Sequence, residues 1–143
     1  MESQPSSGPE VYSSVTVAGD IDHGLVTTAM GVNPSHTARR GQATRPGGPL
    51  AKWTYWLWRM DAVRSYDGTP SLQAMVDWLE QRATALDSLR RDHDVTIGLT
   101  LVAYIEPKQN AVPSVHLEQE LIKRLSVLNV EVEFDFSLLA DDT

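Results

Sequence analysis

The sequence predicts an α+β fold: a two-layer sandwich in which a four-stranded mixed sheet carries three helices mainly on one face, in the order βαβαβαβ. Three observations carry that expectation. Val130, Val132, Phe134 and Phe136 alternate with Glu131, Glu133 and Asp135, the period-two pattern of a half-exposed strand. Leu72, Met75, Val76, Leu79, Ala83 and Leu86 form one apolar stripe at helical spacing. The stretch Val95–Ile105 is apolar on both parities in places, which suits a central strand covered on its faces.

The elements follow in chain order. Residues 1–9 are rich in Ser, Pro and Gly and are expected to form a disordered lead-in to one domain over 10–139, with 140–143 as a tail. Val11–Val17 is rich in strand formers and ends at Gly19. Asp20 and Asp22 are good N-cap types, and Leu25, Val26, Ala29 and Met30 then fall on one helical face until Gly31 stops the helix. A long loop is expected from Asn33 to about Lys52, and loops of that length in compact domains are often functional. Trp53–Met60 is dominated by aromatics and predicts the second strand. Thr69-Pro70 opens a long helix, with proline in the first turn where its missing N–H does no harm. The third strand is Val95–Ile105. The third helix spans about Leu117 to Leu128, with Leu117, Leu121, Ile122, Leu125 and Leu128 facing the core, and the fourth strand is Val130–Phe136. Strand one, helix one and strand two echo strand three, helix three and strand four, which implies two similar β-α-β halves joined by the long helix.

Bulk composition narrows the function classes. A chain of 143 residues fits one domain that buries its own core without disulfides or metal. There is no cysteine, so disulfides and thiolate chemistry are excluded. No apolar run approaches the ~20 residues a membrane helix needs, and the first residues lack the basic and apolar regions of a signal peptide. The expected compartment is the cytoplasm. A net charge of −7 argues against nucleic-acid binding and suits a basic partner.

Several short motifs occur in a fixed order: Gly19-Asp20, Met30-Gly31-Val32, Pro34-Ser35, Arg40-Gly41-Gln42, Trp53, and Asp135 inside the last strand. In that order and spacing, from about Val11 to Leu138, the chain resembles the bacterial family known as domain of unknown function 4279. It departs from the family pattern at Arg40-Gly41-Gln42, where Lys-Gly-Asp is usual, and at Phe136-Ser137, where a tyrosine is common. Some members of that family have the genomic setting of toxin-immunity proteins. The resemblance therefore implies a protein partner, a toxin domain, while the acidic balance and the lack of a long apolar run give the expectation of no nucleic acid and no membrane.

Two surfaces are candidate contact sites. The loop His36–Gly48 holds His36, Arg39, Arg40 and Arg45, with Lys52 beyond it, a local inversion of charge in an acidic chain. Those arginines either fork onto an anion or carboxylate, or pair with the chain's own acids. On the neighbouring strand, Trp56 and Trp58 share one face and Trp53 and Tyr55 the other, so one aromatic pair is expected outside the helix-covered core. The second surface is the acidic row Glu131, Glu133 and Asp135, continued by Asp141 and Asp142; it is either a solvated face or a mask for a basic toxin. The phosphate-loop, GxGxxG, GxSxG, HxxxH and HExxH patterns are absent, so no catalytic residue, cofactor or metal is assigned. The expectation is a non-enzymatic binding protein of the immunity type. The alternative is a small-ligand or anion-binding domain built on the Arg-rich loop and the tryptophan strand. Self-association through an exposed edge strand is open to any such sheet.

Overall fold

The computed structural model describes residues 8–43, 45–108 and 111–140. The elements run β1 (Glu10–Ala18), α1 (His23–Met30), β2 (His36–Ala38), β3 (Tyr55–Arg59), β4 (Val63–Arg64), α2 (Thr69–Glu80), α3 (Ala83–Asp92), β5 (Thr96–Ile105), α4 (Gln119–Leu128) and β6 (Glu131–Leu138). The fold is α+β with one mixed sheet, as expected, but with six strands and four helices in the described residues rather than four and three.

The sheet order is β2-β3-β1-β5-β6, with β4 pairing the start of β1. Its centre is the antiparallel pair β1 and β5, in register from Glu10↔Tyr104 to Ala18↔Thr96. β3 pairs antiparallel with β1, whereas β6 pairs parallel with β5. The two halves expected to be alike therefore differ. A parallel neighbour requires a crossover, which α4 provides. The excursion between β2 and β3 instead returns the chain antiparallel.

The two extra strands carry no apolar alternation of their own. β2, His-Thr-Ala, is held by pairing to Tyr55, Trp56 and Leu57, and Val63-Arg64 by pairing to β1. The long helix breaks at Gln81-Arg82 into α2 and α3. No glycine or proline marks the break, and the apolar stripe runs through it. Arg82 explains it: its guanidinium donates to the carbonyls of Met30 (2.8 Å) and Trp78 (3.1 Å). The first bond satisfies a backbone acceptor left over at the end of α1. Arg90 does the same for α4, donating to the carbonyls of Leu128 (2.6 Å) and Asn129 (2.9 Å).

The core lies between one sheet face and the helices. Val15, Val17, Trp56, Ile97 and Leu99 meet Val26 and Met30 of α1, Leu72, Met75, Val76 and Leu79 of α2, Leu86 and Leu89 of α3, and Leu121, Leu125 and Leu128 of α4. Arg124 clamps α4 to α2 through Asp77 and Glu80. That pairing holds the Glu80 carboxyl below its usual range. Gly19, just past β1, has φ +149°, and a Cβ there would stand 2.6 Å from the Asp94 carbonyl oxygen. Only glycine fits, so the Gly19-Asp20 motif is a packing requirement. No helix in the described residues is long and apolar enough to cross a membrane. Of the expected lead-in, residues 1–7 lie outside the described residues; the carbonyl of Pro9 accepts from Ser65 N–H (3.0 Å). Of the expected tail, residues 141–143 lie outside them as well.

Candidate functional site

Side-chain alternation assigns the second sheet face. Residues paired with Val15 and Val17 face the helices, so Glu10, Tyr12, Ser14, Thr16 and Ala18 point the other way. The register then adds Tyr55, Leu57 and Arg59 of β3, Thr96, Gly98, Thr100, Val102 and Tyr104 of β5, and Glu131, Glu133 and Asp135 of β6. At one end this face covers itself. The Arg59 guanidinium lies 3.9 Å from the Tyr12 ring centroid, and the Tyr12 and Tyr104 hydroxyls are 3.4 Å apart. Burial first, and then that hydrogen bond, push the Tyr12 phenol up to about 12. At the other end Thr16, Ala18, Thr96, Gly98 and Thr100 are too short to cover anything, and a groove opens above them.

The groove has two connected parts. One, of about 810 Å³, lies under the loop and is lined by Arg39, Arg40, Lys52 and Trp53 together with Asp20 and Asp94. The other, of about 920 Å³, runs over Thr16, Gly98 and Thr100 to Glu131 and Glu133. Ala18, Trp53 and Thr96 line both. Gly98 forms the middle of the floor. A Cβ there would meet only the Glu131 carbonyl oxygen, at 4.0 Å, so folding leaves room for a larger residue. Glycine inside a strand weakens it and often marks a bulge, a bend or a close approach by another group, and the register of β5 with both neighbours is unbroken at Gly98.

The loop that forms one bank is not open coil. After β2, Gln42 N–H donates to Arg39 (3.0 Å), Gly41 N–H to Ala51 (2.9 Å) and Ala51 N–H back to Gln42 (2.9 Å). Thr54 ties the base, accepting from Arg40 N–H through its hydroxyl (3.0 Å) and from Gly19 N–H through its carbonyl (3.0 Å). His23 of α1 sits under the loop beside Arg39. Burial and that guanidinium lower its pKa below the ordinary histidine value, and its Nε2 is buried without a hydrogen-bond partner.

The expected site residues divide. Arg39, Arg40, Trp53, Glu131 and Glu133 converge on the groove, and Trp53 is 69% exposed. His36 is on the open face beside Tyr55 (ring centroids 5.6 Å apart), Arg45 is at the loop tip, and Asp135 continues the acidic row; none of the three lines the groove. Trp56 and Trp58 are corrected: they belong to the scaffold. Trp56 is wholly buried and donates its indole N–H to Thr27 Oγ1 of α1 (3.1 Å). Trp58 stacks on Trp78 of α2, with centroids 4.2 Å apart and planes 13° apart, while Arg82 lies over the same Trp78 ring. Both side chains point to the helix side, where apolar area is removed from water. Thr16, Ala18, Thr96 and Gly98 escaped sequence reasoning because short polar and small residues carry no motif. Gly98, a lone glycine inside a predicted central strand, was the one signal available.

The charges on the two banks enter no ion pair among the described residues. Among the described residues, the ion pairs are Arg64–Glu106, Arg90–Asp87, Arg91–Asp92, and Arg124 with Asp77 and Glu80. None involves Arg39, Arg40, Lys52, Glu131 or Glu133.

Fold and site together define a small α+β protein with one sheet face packed and the other carrying an uncovered, oppositely charged groove. The family model described as Domain of unknown function (DUF4279) matches residues 9–139, and the chain belongs to that family. No curated protein and no solved structure matches the chain.

Proposed function

We propose that this chain is a non-enzymatic binding protein of the bacterial immunity type, which neutralises a cognate toxin in the cytoplasm by direct contact through the groove. The observation that carries the reading is the open floor at Gly98 in a groove whose charged banks enter no ion pair among the described residues. Desolvated charge pairs and an exposed tryptophan at the centre of a patch are the features that dominate protein contact energies. The family resemblance supplies the immunity class, and the overall acidity supplies the preference for a basic partner.

The reading predicts a toxin gene beside this one, and co-expression with that toxin tests it. The chain should restore growth, and Gly98→Val, which fills the floor without touching the core, should abolish the rescue while leaving the folded fraction unchanged. Rescue that is absent for the native chain would overturn the reading.

The small-ligand alternative draws on the concavity under Arg39, Arg40 and Lys52. Asp20 and Asp94 share that lining, so it is not a plain anion site. Stabilisation of the purified protein by one of a panel of phosphates, carboxylates and nucleotides would favour this alternative.

A further inference from the structure

Among the described residues β6 is an edge strand without an outer neighbour, and its acidic side chains are its main guard against pairing with itself. Native sheets blunt long edges with charged side chains, lysine above all, with proline, with bulges or with a covering segment. The opposite edge strand, β2, is three residues long. β6 is eight residues long, contains no lysine or proline, and keeps an unbroken register with β5 from Gly98↔Glu131 to Ile105↔Leu138. Among the described residues it pairs with β5 alone. Leu139 N–H donates to the Ile105 carbonyl (2.8 Å). Strand alternation therefore turns the backbone groups of Glu133, Asp135 and Ser137 inward, and those of Val132, Phe134, Phe136 and Leu138 out to the edge.

The same strand presents two chemistries to whatever pairs with it. On the open face stand Glu131, Glu133 and Asp135, all exposed and, among the described residues, outside any ion pair. On the helix face stand Val132, Phe134, Phe136 and Leu138, with Phe134 44% and Leu138 69% exposed. A second copy of this chain fits poorly. Twofold antiparallel pairing of β6 with itself, both open faces on one side, would set acid against acid, and like charges across a strand pair destabilise it.

We infer that the β6 edge accepts an extended segment of a partner protein as an added strand, with lysine or arginine on the side of Glu131, Glu133 and Asp135 and apolar residues on the side of Phe134 and Leu138. The added strand would take up the outward amides of β6 and extend the sheet, as strand addition does elsewhere. This rests on the reading of the chain as a protein-binding module and names how such a partner seats.

The test uses the full chain and a blocked octapeptide alternating lysine and valine, followed by amide NMR and hydrogen exchange. The amides of Val132, Phe134, Phe136 and Leu138 should gain protection, and the glutamate–valine counterpart should give none. Phe134→Pro removes one outward donor where an edge strand tolerates proline, and should weaken the peptide about tenfold. Phe134→Ala keeps the donor and should stay within about threefold of the native chain. Equal binding of the two peptides, equal loss in the proline and alanine variants, no edge protection at about 1 mM peptide, or dimerisation through β6 would each overturn the inference. Shifts confined to Trp53, Thr96 and Gly98 would also overturn it while leaving the groove reading standing. A negative co-expression result with intact edge protection would do the reverse.

Discussion

His23 shows how one side chain can report on the loop. Its folded-state pKa lies below the ordinary value because burial and Arg39 both disfavour the imidazolium. The unfolded chain then binds more protons than the folded one between the two values. The stability contributed by neutral His23 is complete above about pH 6.5 and is lost as pH falls through the folded-state value. Thermal unfolding from pH 7.5 down to 5 should show a falling midpoint, and His23→Gln should flatten that slope; a slope unchanged by the substitution would place its origin elsewhere. The tryptophans supply a second residue-scale prediction. Trp56→Phe deletes the bond to Thr27 and leaves a cavity, and should cost about 1–3 kcal/mol in denaturant titration. Trp53→Ala, at an exposed site, should change stability by less than about 0.5 kcal/mol while weakening partner binding. Sequence reasoning placed both pairs on opposite strand faces, but only the helix positions decide which face is dry.

Among the elements, the α2–α3 break is where periodicity misled. Leu79, Ala83 and Leu86 keep helical spacing across it because α3 continues to cover the same core. What bends the chain is a side chain in demand elsewhere: Arg82 binds Met30's carbonyl and lies 3.7 Å from the Trp78 ring centroid. Arg82→Ala should therefore destabilise by roughly 1–3 kcal/mol. Arg91→Ala, one helix later and paired only with neighbours on its own helix, should change stability by less than about 0.5 kcal/mol. Equal effects in the two variants would remove the structural role given to Arg82. The strands divide similarly. β1, β5 and β6 were legible because their own patterns carry them. β2 and β4 were not, since two or three residues form a strand only when a neighbour offers its backbone.

On the scale of the whole molecule, charge is sorted by the fold. Arg39, Arg40 and Lys52 gather with Asp20 and Asp94 in one part of the groove and Glu131 and Glu133 in the other, although nearly eighty residues of chain separate Lys52 from Glu131. The net charge of −7 favours encounter with a basic protein. With the cognate partner in hand, raising ionic strength from about 0.05 to 0.5 M should slow association by about tenfold or more and alter dissociation far less. A salt-independent on-rate would show that the acidic balance serves solubility alone.

The sequence by itself determined the fold class, the main helices and four principal strands, and the family. Each of these is written in local periodicity or in a motif. Tertiary structure alone decided that Trp56 is core and Trp58 packs against it while Trp53 is surface, that the loop is braced rather than loose, and that its cations and the acids of β6 line two parts of one groove. Those facts depend on which strands become neighbours and which sheet face the helices take. Such choices are settled by burial of the whole apolar surface at once, and no short window of sequence records them.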